Sequence, residues 1–288
     1  MAKIKIVIDN SSDIPRDTAE KYGIDVISLL SIFGDKTYVP NVNMTNAEFY
    51  EMLGNSPTVP TTSQTPYAEL YDYFLKAARE NDTVIYFTVS AKASGQYSTM
   101  RLVRGEISEE NPNADIRVVD SETFSLCIAK AAIEAREAAD AGADADEAIA
   151  VFKSCVKRWR CYFIVSDLEQ LKKGGRVSKT AAFVGGMLDI KPVLTIENGL
   201  VESIDTVRGS KRLAAKLINK IKDNGDYDSE NPEFMVVHSD ADAGETLRAE
   251  LETEFGGGCV RMYSEFGPIV GTNVGRGAFA VISKLKKY

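Results

Sequence analysis

The sequence predicts an α/β protein with two α/β domains. The N-terminal domain has a mostly parallel sheet flanked by helices, and the C-terminal domain has a mixed sheet with helices. Strand and helix patterns alternate through the first half, which is typical of a parallel sheet covered on both faces. In the second half, Asn198-Gly199 separates two β-rich segments and indicates a hairpin. At about 100 to 200 residues per domain, a chain of 288 residues favours two domains.

In the first half, short β-rich segments alternate with segments of helical periodicity. The predicted strands are 4–8, 25–30, 83–89 and 116–119. Helices are predicted after Pro15, at the capping box Thr45-Asn46-Ala47-Glu48, at Thr65-Pro66, at Ser94, at about 124–141 and at about 145–159. The segment 57–64 is predicted to be a loop. The long helical stretch ends near Trp159, so we place the domains at 1–159 and 160–288.

The second half combines a hairpin with further strand and helix patterns, which predicts the mixed sheet. Its predicted strands are 162–165, 193–196, 200–207, 234–238, 260–263 and 279–282, and its helices are about 210–222 and 243–255. The basic glycine turn 172–178 is expected to open a helix. The segment 267–277 is expected to form a glycine-rich loop.

Charge and residue counts exclude several function classes. The net charge of −8 argues against nonspecific binding of nucleic acid and against attraction to an anionic membrane surface. No stretch approaches the ~18 apolar residues that a membrane span needs, so stable membrane insertion is not expected. One histidine and four cysteines without a CxxC pair predict that the chain has no metal site. The few cysteines suggest reduced thiols in a cytoplasmic protein.

Two hydroxyl-rich segments, 60–66 and 90–95, each precede a predicted helix. Helix N-termini carry unpaired N–H groups and a positive dipole end, so they favour anions. Neighbouring parallel strands can bring two such helix starts together where ligands usually bind. Simple helix capping explains each segment equally well.

Three other features each have two interpretations. The basic turn 172–178 is either part of a site or a helix cap with solvated charges. The apolar segment 181–188 is either buried core or a surface whose glycines leave room for an apolar ligand. His238 ends a strand, where a lone histidine is more often structural than catalytic.

Several motifs in a fixed order carry a family resemblance. They are Asp9-Asn10-Ser11-Ser12, TTSQ at 61–64, Ser94-Gly95, Val119-Asp120-Ser121, DLEQLKKGGRVS at 167–178, IKP at 190–192 and GPIVGT at 267–272. Over almost the whole chain, this set resembles the DegV family of bacterial fatty-acid-binding proteins.

The resemblance implies a long-chain fatty acid buried between the two domains and no cofactor. Each buried CH₂ contributes ~0.8 kcal/mol, so a chain of about C16–C18 fits a deep apolar tunnel better than a shallow site. It also implies a lipid carrier without catalytic residues. The carrier presents the fatty acid to a separate ATP-dependent fatty-acid kinase resembling dihydroxyacetone kinase, within phospholipid metabolism.

The resemblance also assigns residues. It implies that Thr62, assisted by Thr61, and Ser94 hold the carboxylate. The residues expected near the head group or facing the partner are Arg176, Asn273, Thr272, Ser63 and Gly95. From the apolar segment 181–188 itself, the candidates for the acyl tunnel are Ala182, Phe183, Gly185, Gly186 and Met187.

The chain departs from the family pattern at three positions. Asn273 stands where the family often has histidine, Arg276 stands where proline is usual, and Asn10 stands where serine is common. A different function class remains open. The chain could be an enzyme acting on a small anionic or phosphorylated metabolite, with Arg176 and Lys173 as electrophilic partners.

Overall fold

The computed structural model describes residues 3–178, 190–209 and 211–286. Its strands are β1 (Ile4–Asp9), β2 (Asp25–Ile27), β3 (Leu30–Phe33), β4 (Lys36–Tyr38), β5 (Thr61–Ser63), β6 (Thr83–Thr88), β7 (Ile116–Asp120), β8 (Trp159–Ile164), β9 (Ile190–Glu197), β10 (Leu200–Arg208), β11 (Phe234–His238), β12 (Val260–Glu265) and β13 (Phe279–Lys284). Its α-helices are α1 (Arg16–Lys21), α2 (Asn46–Asn55), α3 (Tyr67–Glu80), α4 (Gln96–Glu110), α5 (Leu126–Asp140), α6 (Ala145–Lys157), α7 (Leu168–Gly174), α8 (Leu213–Asn224), α9 (Ala241–Phe255) and α10 (Pro268–Val274).

The N-terminal sheet is parallel, as predicted. Its order is β2-β1-β6-β7, and Val7 pairs with Asp25 on one side and Tyr86 on the other. Because β1 and β6 are buried on both faces, each contains a run of consecutive apolar residues, at 6–8 and 84–87, rather than an alternating pattern. Helices α3 and α4 cover one face of this sheet.

The C-terminal sheet is mixed, also as predicted. Its order is β10-β9-β8-β13-β11-β12. Between these strands, as far as the structure describes them, the β11–β12 pair is parallel and the other pairs are antiparallel. The hairpin β9–β10 turns at Asn198 and Gly199, which have φ angles of 50° and 76°. Positive φ at both central residues is what a tight two-residue hairpin requires.

Helices α5 and α6 lie between the two sheets. A single apolar cluster joins them to the inner faces of β1, β6, β8, β11 and β13. Helices α8 and α9 cover the outer face of the C-terminal sheet. The layers therefore run helix, sheet, helix, sheet, helix, and the middle helical layer belongs to both halves. Strand β8 begins at Trp159, and the domain division at that residue stays a prediction.

A small third sheet was not predicted. Its order is β4-β3-β5, all antiparallel. The predicted strand 25–30 is two strands, since β2 belongs to the N-terminal sheet and β3 to the small one. The predicted loop 57–64 contains β5, whose residues Thr61 and Thr62 pair with Ile32 and Ser31. The prediction failed because strands of three or four residues are too short to establish periodicity.

One expectation concerns residues that are only partly described, and another needs correction. The turn at 172–178 closes helix α7, since Gly175 has a φ of 73° and caps its C-terminus, and the helix expected to follow it lies outside the described residues. Lysines in that last turn suit the negative end of the helix dipole. The expected loop 267–277 contains helix α10, which starts with Pro268 at its first position, where the missing N–H costs nothing. Among the described residues, no helix is long and apolar enough to cross a membrane.

Candidate functional site

A cavity of about 670 Å³ lies between the two halves of the chain. One side is formed by residues at the carboxyl ends of the N-terminal strands, including Ser11, Val89 and Ser125. The other side is formed by the C-terminal sheet and α10. The carboxyl edge of a parallel sheet is where α/β proteins usually bind ligands, and the volume falls in the ~300–1,000 Å³ range of small-molecule sites.

The cavity has a polar end built from the two predicted hydroxyl segments. Thr62, Ser63 and Gln64 contribute from β5 and the turn after it, and Ser94 and Gly95 from the start of α4. Ser94 Oγ accepts the Gln96 N–H at 3.2 Å, which leaves its own proton for another acceptor. Thr62 lies on β5, so it lines the cavity from a strand. The sequence argument assumed that it lies at the start of a helix.

Two cationic side chains border this end. Arg176 is partly buried, and its Nε donates to the Ala93 carbonyl oxygen at 3.0 Å. Its Nη1 donates to the Gly174 carbonyl oxygen. The exposed Lys92 also lines the cavity. The exposed Lys173 is not among the lining residues.

The remaining wall is apolar. It is built by side chains of the C-terminal sheet and the neighbouring helices, namely Cys161, Phe163, Ile196, Val201, Val237, Ala280, Leu171, Phe266, Ile269, Val270 and Val274. Burial raises the pKa of the Cys161 thiol well above its usual value, so this wall contains no thiolate nucleophile. The cavity is thus polar and partly cationic at one end and apolar along the rest, which suits an amphipathic anion.

The buried side chain of Asp9 holds together the chain segments beneath the polar end of the cavity. Its carboxylate is fully buried and accepts the backbone N–H of Ser11 at 3.1 Å and of Val89 at 2.7 Å. The Ser11 hydroxyl is a further donor to Asp9. Burial raises the pKa of Asp9, and these hydrogen bonds oppose the shift. Asp9 therefore fixes the chain ends of β1 and β6 below the cavity.

Asp13 joins three segments of the cavity wall. Its carboxyl group contacts the Ser125 hydroxyl and accepts the Gly267 N–H at 2.8 Å, and the residue is 6% exposed. Burial raises the pKa of Asp13 to about 8, and the hydrogen bonds of Ser125 and Gly267 oppose this shift. At neutral pH the protonated acid can donate to Ser125 while its carbonyl oxygen accepts from Gly267.

The three departures from the family pattern have distinct surroundings. Asn10 is buried and bonds the Leu29 backbone twice, through Nδ2 to the carbonyl at 3.1 Å and through Oδ1 from the N–H at 2.9 Å. Asn273 lines the cavity and donates to the Ile269 carbonyl oxygen at 3.1 Å. Arg276 is exposed, and its guanidinium lies against Gly54 of α2 rather than at the cavity.

Several predicted site residues either do not line the cavity or lie outside the described residues. Thr61 is exposed on β5, and Thr272 donates to the Pro268 carbonyl oxygen at 2.8 Å within α10. Neither is among the residues that line the cavity. The tunnel candidates Ala182, Phe183, Gly185, Gly186 and Met187 all lie outside the described residues.

Sequence reasoning missed Ser11, Ser125 and Lys92. Ser11 and Ser125 follow the carboxyl ends of β1 and β7, so the same strand-end rule could have identified them. Lys92 lies inside a segment that the sequence singled out for its hydroxyls alone.

His238 is 6% exposed, packs against Tyr263 and has its pKa lowered by burial, which agrees with a structural role. The described residues contain no group of side chains suited to a metal ion.

A family model, a curated relative and solved structures all indicate the same family. The family model described as "Uncharacterised protein, DegV family" matches residues 3–285. The fatty acid-binding protein of Thermotoga maritima is 32% identical over 285 residues, covering 96% of this chain and 95% of that protein. The crystal structure of DegV, a fatty acid binding protein from Bacillus subtilis, is 28% identical with a TM-score of 0.85, covering 99% and 100%. A DegV family protein from Thermus thermophilus, described by its fatty acid binding, is 26% identical with a TM-score of 0.85, covering 98% and 99%.

The two solved structures share this fold over nearly their whole length, and all three relatives are named for binding a fatty acid rather than for a reaction. Family model, sequence identity and fold agree over nearly all of the sequence. This chain therefore belongs to the DegV family.

Proposed function

We propose that this chain is a non-enzymatic carrier that binds one long-chain fatty acid in the cavity between its two halves. The observation that supports this most directly is the division of the cavity into a hydroxyl-lined end and an apolar wall on the C-terminal sheet. The named activity of the relatives from Thermotoga maritima and Bacillus subtilis agrees with it.

The energetics favour a long chain over a short one. Each CH₂ taken out of water contributes ~0.8 kcal/mol, so about sixteen carbons contribute on the order of 10 kcal/mol before the costs of association. A buried carboxylate without hydrogen bonds would cancel much of this gain. The proposal therefore needs donors at one end and apolar side chains along the rest.

Thr62 and Ser94 are the proposed carboxylate ligands. Both line the polar end, and the Ser94 hydroxyl proton is not committed to an acceptor within the described chain. Hydrogen bonds from neutral hydroxyls to a charged group contribute about 1.5–3 kcal/mol each. Lys92 adds a positive charge at the exposed edge of this end, which offsets the burial of the carboxylate.

The proposed use of the bound lipid is phosphorylation by a separate ATP-dependent kinase resembling dihydroxyacetone kinase, in the cytoplasm, with the acyl phosphate entering phospholipid metabolism. In this proposal the chain supplies the positioned carboxylate, and the kinase supplies the nucleotide and the chemistry. Arg176 borders the polar end, and guanidinium groups bind phosphate oxygens in a bidentate manner. It is the residue proposed to face the partner.

An enzyme acting on a small anionic metabolite is the competing function. Lys92 and Arg176 are compatible with it, but such a ligand makes no use of the apolar wall. Native mass spectrometry of freshly purified protein separates the two functions. We expect a retained species with the mass of a fatty acid of about C16–C18. Protein that carries no lipid and takes up none from added hexadecanoic acid would contradict the carrier function.

A further inference from the structure

A buried hydrogen-bond network lies directly behind the polar end of the cavity, and the Gln96 side chain is at its centre. Gln96 is 0% exposed. Its Nε2 donates to Thr65 Oγ1 at 3.1 Å and to the Tyr86 hydroxyl at 3.0 Å. Its Oε1 accepts the Thr65 backbone N–H at 3.1 Å. Both N–H groups of the amide and its oxygen are therefore engaged.

The network is anchored on the N-terminal sheet. Thr65 Oγ1 donates to the Ser28 carbonyl oxygen at 2.9 Å, and the Tyr86 hydroxyl lies 3.4 Å from Asp9 Oδ2. Asp9 in turn holds the Val89 N–H. Gln96 thus connects the segment after β5 with the ends of β1 and β6. Buried networks of this kind fix geometry because an unpaired member is costly.

Residue 96 connects the two hydroxyl segments of the cavity. Its side chain holds Thr65, which follows Thr62 by three residues, and its backbone N–H donates to Ser94 Oγ. A second connection lies nearer the solvent, where Thr99 Oγ1 donates to Gln64 Oε1 at 3.0 Å. The spacing between the Thr62 segment and the Ser94 segment is therefore set by Gln96 on the buried side.

We propose that Gln96 is a positioning residue that aligns the Thr62 and Ser94 hydroxyls on one head group and so makes the site prefer a carboxylate to a neutral head group. This inference rests on the proposed function. A carboxylate has two oxygens and accepts from two converging donors, whereas a primary alcohol is held by either hydroxyl alone. Loss of the alignment should weaken the acid and leave the alcohol unchanged.

The test compares hexadecanoic acid with hexadecan-1-ol, which have the same chain and different heads. Both are measured by displacement of the fluorescent cis-parinaric acid from delipidated full-length protein. For Gln96→Met we expect the preference for the acid over the alcohol to fall about tenfold, with the affinity for the alcohol unchanged. The matched control is Thr88→Val, which removes another buried hydroxyl that donates to the Val119 carbonyl oxygen at 3.4 Å, outside this network.

A second variant covers the case in which Gln96→Met does not fold. Thr65→Val removes the hydroxyl that accepts from Gln96 Nε2 and keeps the backbone bond to Oε1, so it should lower the same preference by a smaller factor. Equal losses for acid and alcohol, or no change of the preference in either variant, overturn the positioning role. Wild-type protein that binds hexadecan-1-ol as tightly as the acid also overturns it, while fatty-acid binding stands. If the wild type binds neither, the proposed function itself fails.

Discussion

Thr61 and Thr62 are adjacent threonines with different surroundings. The Thr62 side chain is partly buried at the cavity wall, whereas Thr61 is exposed and lies away from it. The helix-start argument agrees with the place of Ser94 just before α4 but not with that of Thr62, which is on β5. The strand was missed because three residues of polar strand look like a loop in a single sequence, and the family motif was what named Thr62 rather than its neighbours.

Because Thr62 lines the cavity and Thr61 does not, variants of these two threonines form a matched pair. We expect Thr62→Ala combined with Ser94→Ala to lower fatty-acid affinity about a hundredfold or more, because two hydrogen bonds to a buried carboxylate are lost. Thr61→Ala combined with Ser94→Ala should lower it less. Displacement of a fluorescent fatty acid gives the affinities, and thermal melts check that all variants fold. Equal losses in the two double variants would show that Thr62 is not a ligand.

Asp13 could not be identified as a buried acid from the sequence, because an aspartate in a polar turn is ordinarily solvated. In the structure it is closed off by Ser125 and Gly267, which come from distant parts of the chain. Burial raises its pKa from 3.8 to about 8. Between those two pH values the folded state holds a proton that the unfolded state has lost.

Stability must therefore fall as pH rises through this window. With one more proton bound in the folded state, the free energy of unfolding decreases by about 1.4 kcal/mol per pH unit. Asp13→Asn keeps a donor for Ser125 and an acceptor for Gly267 but has no proton to lose. Urea unfolding at pH 5, 6, 7 and 8 should show the stability difference, wild type minus Asp13→Asn, declining steadily with pH. A difference that stays constant across these pH values would contradict a raised pKa for Asp13.

At the scale of elements, the β9–β10 hairpin holds the two halves together at the cavity. The Ser90 hydroxyl donates to the Gly199 carbonyl oxygen at 2.8 Å. A Cβ atom on Gly199 would lie 2.3 Å from Ser90 Oγ. The sequence predicted this hairpin from its turn residues, which is a local property. It could not predict where the turn docks, since that depends on the packing of two sheets.

We expect Gly199→Ala to destabilise the protein more than Gly225→Ala does. Both glycines have positive φ, so each alanine costs about 1–2 kcal/mol of backbone strain. At Gly225 the added Cβ meets no atom within 4 Å, whereas at Gly199 it overlaps Ser90 and costs about 1–3 kcal/mol more. Denaturant unfolding of both variants measures the difference. Adding Ser90→Gly should recover part of the loss for Gly199→Ala only, and equal stabilities of the two alanine variants would refute the docking contact.

At the scale of the whole molecule, the middle helical layer determines whether each half can fold by itself. Helix α5 has nine buried residues among fifteen, which fits a helix with a sheet on either side. Phe152 of α6 stacks on Phe87 of β6 with ring centroids 3.7 Å apart, and the same cluster includes Phe163 of β8. The sequence indicated two α/β domains from periodicity. It could not show that they share one helical layer, because an apolar helix does not reveal what covers it.

We therefore expect the fragments 1–159 and 160–288 to fold poorly when made separately. The first would expose one side of the α5–α6 layer, and the second would expose Phe163, Val237 and Ala280 on the inner face of its sheet. Burial of apolar surface contributes about 25 cal/mol per Å², and domains are stable by only a few kcal/mol. Leaving this interface exposed to water therefore removes much of the stability of each fragment. Each fragment alone should bind a hydrophobic dye and melt without a sharp transition, while co-expression should restore one cooperative melt and fatty-acid binding. A monomeric fragment that melts cooperatively by itself would show that the shared layer is a contact between two independent domains.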